Sequence, residues 1–158
     1  NRHIFKNDQI NQRQCYDLND AGLADVFETA ERPFLATHSN ARAVCAHRRN
    51  LTDTQIKEMV RRGCLIGLNY YGPFLRDGGA VRSLDDVYRH VAHFFDLGAR
   101  RNLALGSDFD GAALPPCLDS AEKTADFYEY LLSRGVSQAD ADGIFFENAR
   151  TFLRKNLG

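Results

Sequence analysis

The sequence predicts an α/β fold on a parallel sheet of about three strands with flanking helices, and three observations carry that reading. Three short apolar runs, Pro33 to His38, Cys64 to Tyr71 and Leu103 to Leu105, are of strand length. Stretches with helical spacing and capping residues lie between them, the alternation expected of βαβ units. The third run leads into Gly106-Ser107-Asp108-Phe109-Asp110-Gly111. That places two carboxylates where parallel α/β proteins keep their chemistry, beyond the C-terminal ends of the strands.

At 158 residues the chain is long enough for one domain with a sizeable core. Hydrophobic residues make up 44% and charged residues 26%, ordinary values for a soluble globular protein. A net charge of −1 offers no overall field to recruit nucleic acid or an acidic membrane. No apolar run reaches the length of about 18 residues that reads as a membrane span. Cys15, Cys45, Cys64 and Cys117 are widely spaced without a C-x-x-C pair, which argues against a disulfide framework or a zinc finger. The opening Asn1-Arg2-His3-Ile4-Phe5-Lys6 lacks the apolar core of a secretory signal, so a cytoplasmic location is expected.

Residues 1–16 are rich in Asn, Gln and Arg without a period, and are read as an arm. Leu23, Val26 and Phe27 then fall at helical spacing, with Asn19 or Asp20 as N-cap and Pro33 just past the end. After the first strand, Ala41 to His47 is read as one or two helical turns. Thr52-x-x-Gln55 has the form of a capping box, Ile56, Met59 and Val60 form the apolar stripe, and Gly63 stands at C′. The second strand is followed by a loop containing Gly72, Pro73, Gly78 and Gly79, long enough to carry function. Ser83 opens the next helix, whose buried side is Leu84, Val87, Val91, Phe94 and Phe95, and Gly98 ends it. Beyond the third strand, helices run from Ser120 to Arg134 and from Ser137, and a last segment from Asn148 carries Phe152 and Leu153. Three parallel strands cannot close a barrel, and as an open sheet they leave two edges.

Two strand ends carry groups capable of binding metal: His38 on the first and Asp108 on the third. Imidazole and carboxylate are the ligands of hydrolytic zinc sites, although a catalytic zinc takes three protein ligands and two do not make a site. An ordinary hydrogen-bonding histidine and an Asp-Gly turn are the alternative. Arg48-Arg49 follows His38, and a guanidinium grips a carboxylate through two prongs; surface charge is the other reading. His47, His90 and His93 are read as structural.

The run Thr37-His38-Ser39-Asn40-Ala41-Arg42-Ala43-Val44-Cys45-Ala46-His47-Arg48-Arg49-Asn50 closely resembles the membrane (renal) dipeptidase family. Leu51-Thr52-Asp53, Gly67-Leu68-Asn69-Tyr70, Gly106 to Gly111 and Glu147-Asn148-Ala149-Arg150-Thr151-Phe152-Leu153 follow in the family's order. The resemblance implies a (β/α)₈ TIM barrel of the amidohydrolase-like group, present here as its C-terminal portion over residues 17–158. It also implies two zinc ions at the C-terminal face and hydrolysis of dipeptides, including ones with a C-terminal D-residue. By the same resemblance His38 matches a ligand of one zinc. Asp108 matches the aspartate that binds the other and handles the proton of the attacking water. Arg49 matches the arginine that holds the substrate carboxylate.

The chain departs from the family pattern in lacking its first-strand H-x-D pair and the glutamate that bridges the metals. Where the family has a serine-histidine pair before Asn19, this chain reads Gln14-Cys15-Tyr16-Asp17, with Asp17 in the histidine's place. Two functions follow as expectations. One is a zinc metallodipeptidase, rendered inactive if the missing ligands are not supplied. The other is a non-catalytic barrel remnant or assembly module, a homo-oligomer that pairs through exposed sheet edges.

Overall fold

A computed structural model of the chain describes residues 14–15 and 19–157. Asp17 and residues 1–13 of the arm lie outside the described residues. The sheet has four strands in the order β1-β2-β3-β4: β1 (Gln14–Cys15), β2 (Leu35–Ala36), β3 (Leu65–Leu68) and β4 (Leu103–Leu105). Every neighbouring pair is parallel, so sequence order is spatial order. The strand beyond the three expected falls in the segment read as an arm. It is two residues long and polar, too short to show a period.

Between the strands run α1 (Asp20–Thr29), α2 (Asp53–Arg62), a short α3 (Gly72–Leu75) and α4 (Leu84–Asp96). After β4 come α5 (Ala121–Ser133), α6 (Gln138–Asp142), a π-helical turn over Gly143–Glu147 and α7 (Asn148–Leu157). The expected caps explain most of the boundaries. Asn19 takes the N-cap of α1 by accepting from the Gly22 N–H. Thr52 and Gln55 form the reciprocal capping box of α2, and Gly63 closes it in the left-handed region at φ 68°.

One expectation is corrected. Ala41 to His47 is not a helix: Ala41 forms an isolated parallel bridge with Leu51, and a single turn follows in which the Val44 and Cys45 N–H groups donate to the Ala41 carbonyl. Arg42 holds this segment in shape. Its guanidinium donates to the Asn50 and Arg48 carbonyls and forms a two-pronged pair with Asp20 of α1 at 2.9 and 2.7 Å.

Side chains alternate across the sheet and so divide the core. Ala36, Ile66, Leu68 and Leu103 pack against Ile56 and Met59 of α2, Val87, Val91 and Phe94 of α4, and Phe127 and Leu131 of α5. Full burial of each large side chain contributes about 1.5–3 kcal/mol. On the opposite face Leu35, Leu65 and Ala104 meet Ala149 and Phe152 of α7. Asn148 fixes α7 there, its side-chain amide donating to the Leu103 and Arg100 carbonyls at 2.8 Å.

That second face also carries Gly67 and Gly106, toward the C-terminal ends of β3 and β4, and neither has room for a side chain. A Cβ on either glycine would lie 2.0 Å from the Thr37 carbonyl oxygen. The chain leaving β2 therefore crosses over β3 to reach β4, and the Ser39 N–H secures it to the Gly67 carbonyl at 2.6 Å. His38 sits in the middle of this crossing.

Candidate active site

Three strand ends deliver the polar groups. His38 follows β2 and is half-buried, with its Nδ1 2.7 Å from the Thr37 hydroxyl. Asn69 follows β3 directly and is buried. Asp108 lies three residues past β4, half-buried, with its backbone in the left-handed region at φ 69°. Among the described residues it is the one non-glycine with positive φ, a conformation that aspartate tolerates better than most residues but still at a cost. The Gly111 and Ala112 N–H groups donate to its carbonyl at 3.2 Å and hold that turn.

A pair of buried asparagines connects these ends. Asn40 and Asn69 bond reciprocally: the Asn69 backbone N–H donates to Asn40 Oδ1 at 2.9 Å, and Asn40 Nδ2 donates to the Asn69 carbonyl at 3.0 Å. Asn69 Nδ2 then donates to Asp108 Oδ2 at 3.3 Å. On the other side, the Asn40 and Asn50 amides both donate to the Phe74 carbonyl. The Arg49 guanidinium lies over the Phe74 ring, 5.9 Å from its centre, and His47 stacks on the same ring at 4.5 Å. The asparagine pair thus stands between the acid and the segment that carries the arginine.

Sequence reasoning read Asn40 as a turn or cap residue and gave neither asparagine a role in the site. Both left a signal: Asn69 directly follows the apolar run Cys64 to Leu68, and Asn40 follows two positions after His38. The three histidines read as structural are engaged in packing or bridging. His90 is fully buried, accepting from the Ala41 N–H and bonded to the Leu75 carbonyl, and burial pushes its pKa down to about 4. His93 joins Asp53 at 2.8 Å, tying α4 to the start of α2. His47 Nδ1 accepts from the Arg49 N–H. Burial raises the Cys45 thiol to about 11, with Asp77 adding to the effect, so this cysteine is no nucleophile near neutral pH. Burial likewise pushes the Tyr70 phenol up, with the nearby Thr124 hydroxyl opposing. The Tyr70 ring makes a T-shaped contact with Phe109, which stands 40% exposed next to Asp108.

Imidazole and carboxylate are donors suited to zinc, but number decides the fit. Among the described residues no group of three or more His, Cys, Asp or Glu is placed to hold a metal ion. A catalytic zinc takes three protein ligands, so these residues do not by themselves fit a complete centre.

Sequential parallel strands, a helical layer of α2, α4 and α5 on one face and polar groups gathered at the C-terminal ends are the arrangement of a segment of a β/α barrel. An amidohydrolase from Pseudomonas aeruginosa shares this fold at a TM-score of 0.79 and 17% identity, over 89% of this chain and 51% of that one. The chain belongs to the membrane dipeptidase family (peptidase family M19), whose model matches residues 17–156. It is 34% identical over 134 residues to Dipeptidase aclJ from Aspergillus oryzae, covering 81% of this chain and 32% of that protein. A metallo peptidase from Rhodobacter sphaeroides, solved with a phosphinate mimic of the dipeptide L-Ala-D-Ala, superposes with a TM-score of 0.82 at 32% identity. That match covers 87% of this chain and 40% of the other. The chain spans about half or less of the length of the curated relatives it matches. No described helix is long and apolar enough to cross a membrane.

Proposed function

We propose that this chain carries the C-terminal part of the catalytic edge of a zinc-dependent dipeptidase. The observation that supports it most is the crossing of Thr37 over Gly67 and Gly106, which brings the strand end bearing His38 toward the one bearing Asp108. Membership of a dipeptidase family supplies the substrate class. The L-Ala-D-Ala mimic on the Rhodobacter relative makes small dipeptides, including those with a C-terminal D-residue, the first candidates.

In this reading Arg49 pairs with the free C-terminal carboxylate of the dipeptide, and Phe74 beneath it limits where the guanidinium points. Asp108 accepts the proton of the attacking water and returns it to the departing amine. His38 and Asp108 would hold metal together with ligands from outside the described residues. A bound zinc supplies a water that ionises near neutral pH.

The test is zinc content and L-Ala-D-Ala hydrolysis by the purified chain over a zinc titration. The expected result is turnover that needs added zinc, because two ligands hold the metal weakly, and that falls by about 10²-fold or more in Asp108→Asn. Neither bound metal nor turnover at any zinc level would end the catalytic reading while leaving family membership untouched.

A second reading rests on the lack of a three-ligand group among the described residues. In it the chain is a non-catalytic assembly module, a homo-oligomer paired through the edges of its sheet.

A further inference from the structure

The carboxylate of Asp108 is gripped from two sides, and the grip has a forced polarity. Asn69 is wholly buried, so its amide must be satisfied within the protein. The Tyr71 N–H donates to its Oδ1 at 2.5 Å. That contact leaves Nδ2 to face Asp108, because the flipped amide would set one donor against the Tyr71 N–H and one acceptor against a carboxylate. Asn69 itself cannot shift, since Asn40 holds both its backbone N–H and its carbonyl. Oδ2 of Asp108 therefore meets a fixed donor. Its other oxygen, Oδ1, lies over Gly111, where a Cβ would come within 2.2 Å. Gly111 is exposed and takes no left-handed φ, so room for this oxygen is the visible reason for a glycine there.

We propose that Asn69 and Gly111 act as a clamp that fixes the side-chain rotamer of Asp108, which makes Asn69 a positioning residue for that acid. Asn69 sets the direction of one carboxylate oxygen and Gly111 leaves space for the other. The left-handed turn at Asp108 anchors the backbone from which both oxygens hang. The consequence for catalysis rests on the dipeptidase reading above; the clamp itself does not.

The experiment compares wild-type chain, Asn69→Ala and Gly111→Ala, reading the Hα–Hβ and N–Hβ couplings of Asp108 by NMR together with dipeptide kinetics. Wild type should show the unequal couplings of a single χ1 rotamer; Asn69→Ala should average them, and Gly111→Ala should change them as its Cβ displaces Oδ1. Asn69→Ala leaves the Tyr71 N–H without its acceptor and stands to lose stability. Gly111→Ala, at an exposed position, should keep the wild-type melting temperature and so isolates the effect. Where the wild type turns over dipeptide, kcat should fall about tenfold or more in each variant, with KM within about twofold. Averaged couplings in wild type, couplings unchanged in both variants, or a change confined to KM would overturn the clamp. A wild type with ordered couplings and no turnover would sustain the clamp and defeat only the dipeptidase reading.

Discussion

His90 of α4 reaches the turn that follows His38, with both ring nitrogens engaged. Nδ1 accepts from the Ala41 N–H at 3.1 Å, which leaves Nε2 as the donor to the Leu75 carbonyl at 3.0 Å. Protonating Nδ1 would remove that acceptor and bury a charge, which is why the pKa falls to about 4 from 6.5. Burial is the main cause; Arg89 and His93 push the same way, and the Leu75 carbonyl and Asp86 oppose. The unfolded chain binds the proton first, so stability falls as pH drops through 6.5 and the loss is complete below about 4. The full difference is about 3 kcal/mol. Asp20 acts lower on the scale: Arg42, helped by Gln55, holds its carboxyl near 2, so its contribution is lost as pH falls further. Its side chain is 58% exposed and solvent discounts that contribution. Urea unfolding of wild type and His90→Gln between pH 7 and 4 checks this. The wild type should lose stability across that window, and the variant should give a flatter line from a lower start. Equal slopes would show that another group carries the acid sensitivity.

At the scale of elements, two glycines with opposite reasons for being glycine make a paired test. Gly63 ends α2 at φ 68° with nothing within 4 Å of an added Cβ, so Gly63→Ala costs only left-handed strain, about 1–2 kcal/mol. Gly67 in β3 has the reverse problem: an added Cβ would meet the Thr37 carbonyl at 2.0 Å. No rotamer change relieves a backbone clash, so Gly67→Ala must push the end of β2 off the sheet and should cost about 3 kcal/mol or more. Denaturant melts of the two variants should rank Gly67→Ala as the worse, and a reversed order would mean that the crossing at Thr37 yields easily. The same contrast explains what was legible in the sequence. Gly63, Thr52 and Gln55 act through neighbours in the chain, so the ends of α2 could be read directly. The roles of Gly67, Gly106, Asn40 and Asn69 depend on strands that meet only in the fold; the local pattern marks the two asparagines as polar residues beside strand ends and does not reveal that they bond to each other. Among the site candidates, His38 and Asp108 were legible because strand ends concentrate chemistry. Arg49 was legible as a guanidinium after His38, but its Phe74 platform lay hidden in a loop whose short α3 showed no period.

The whole molecule poses a problem of closure. Four parallel strands in sequence order, far fewer than a (β/α)₈ barrel needs, have β1 and β4 at the margins of the described sheet. One margin is partly protected: Asn148 occupies the Leu103 carbonyl of β4, and α7 lays Phe152 across the face that a closed barrel would turn inward. β1 is the other margin of the described sheet, and an uncovered sheet edge is a template for another chain. The curated relatives are longer, and the matched stretch spans about half or less of each. In the assembly reading the margins of the sheet pair with another copy, so light scattering of the purified protein should show a dimer or larger species at micromolar concentration. Its melting temperature should rise with protein concentration, because association stabilises only the folded form. A monomer at every concentration, with a single cooperative melt independent of dilution, would show that α7 and the helical layer suffice, and would remove the support for the assembly reading.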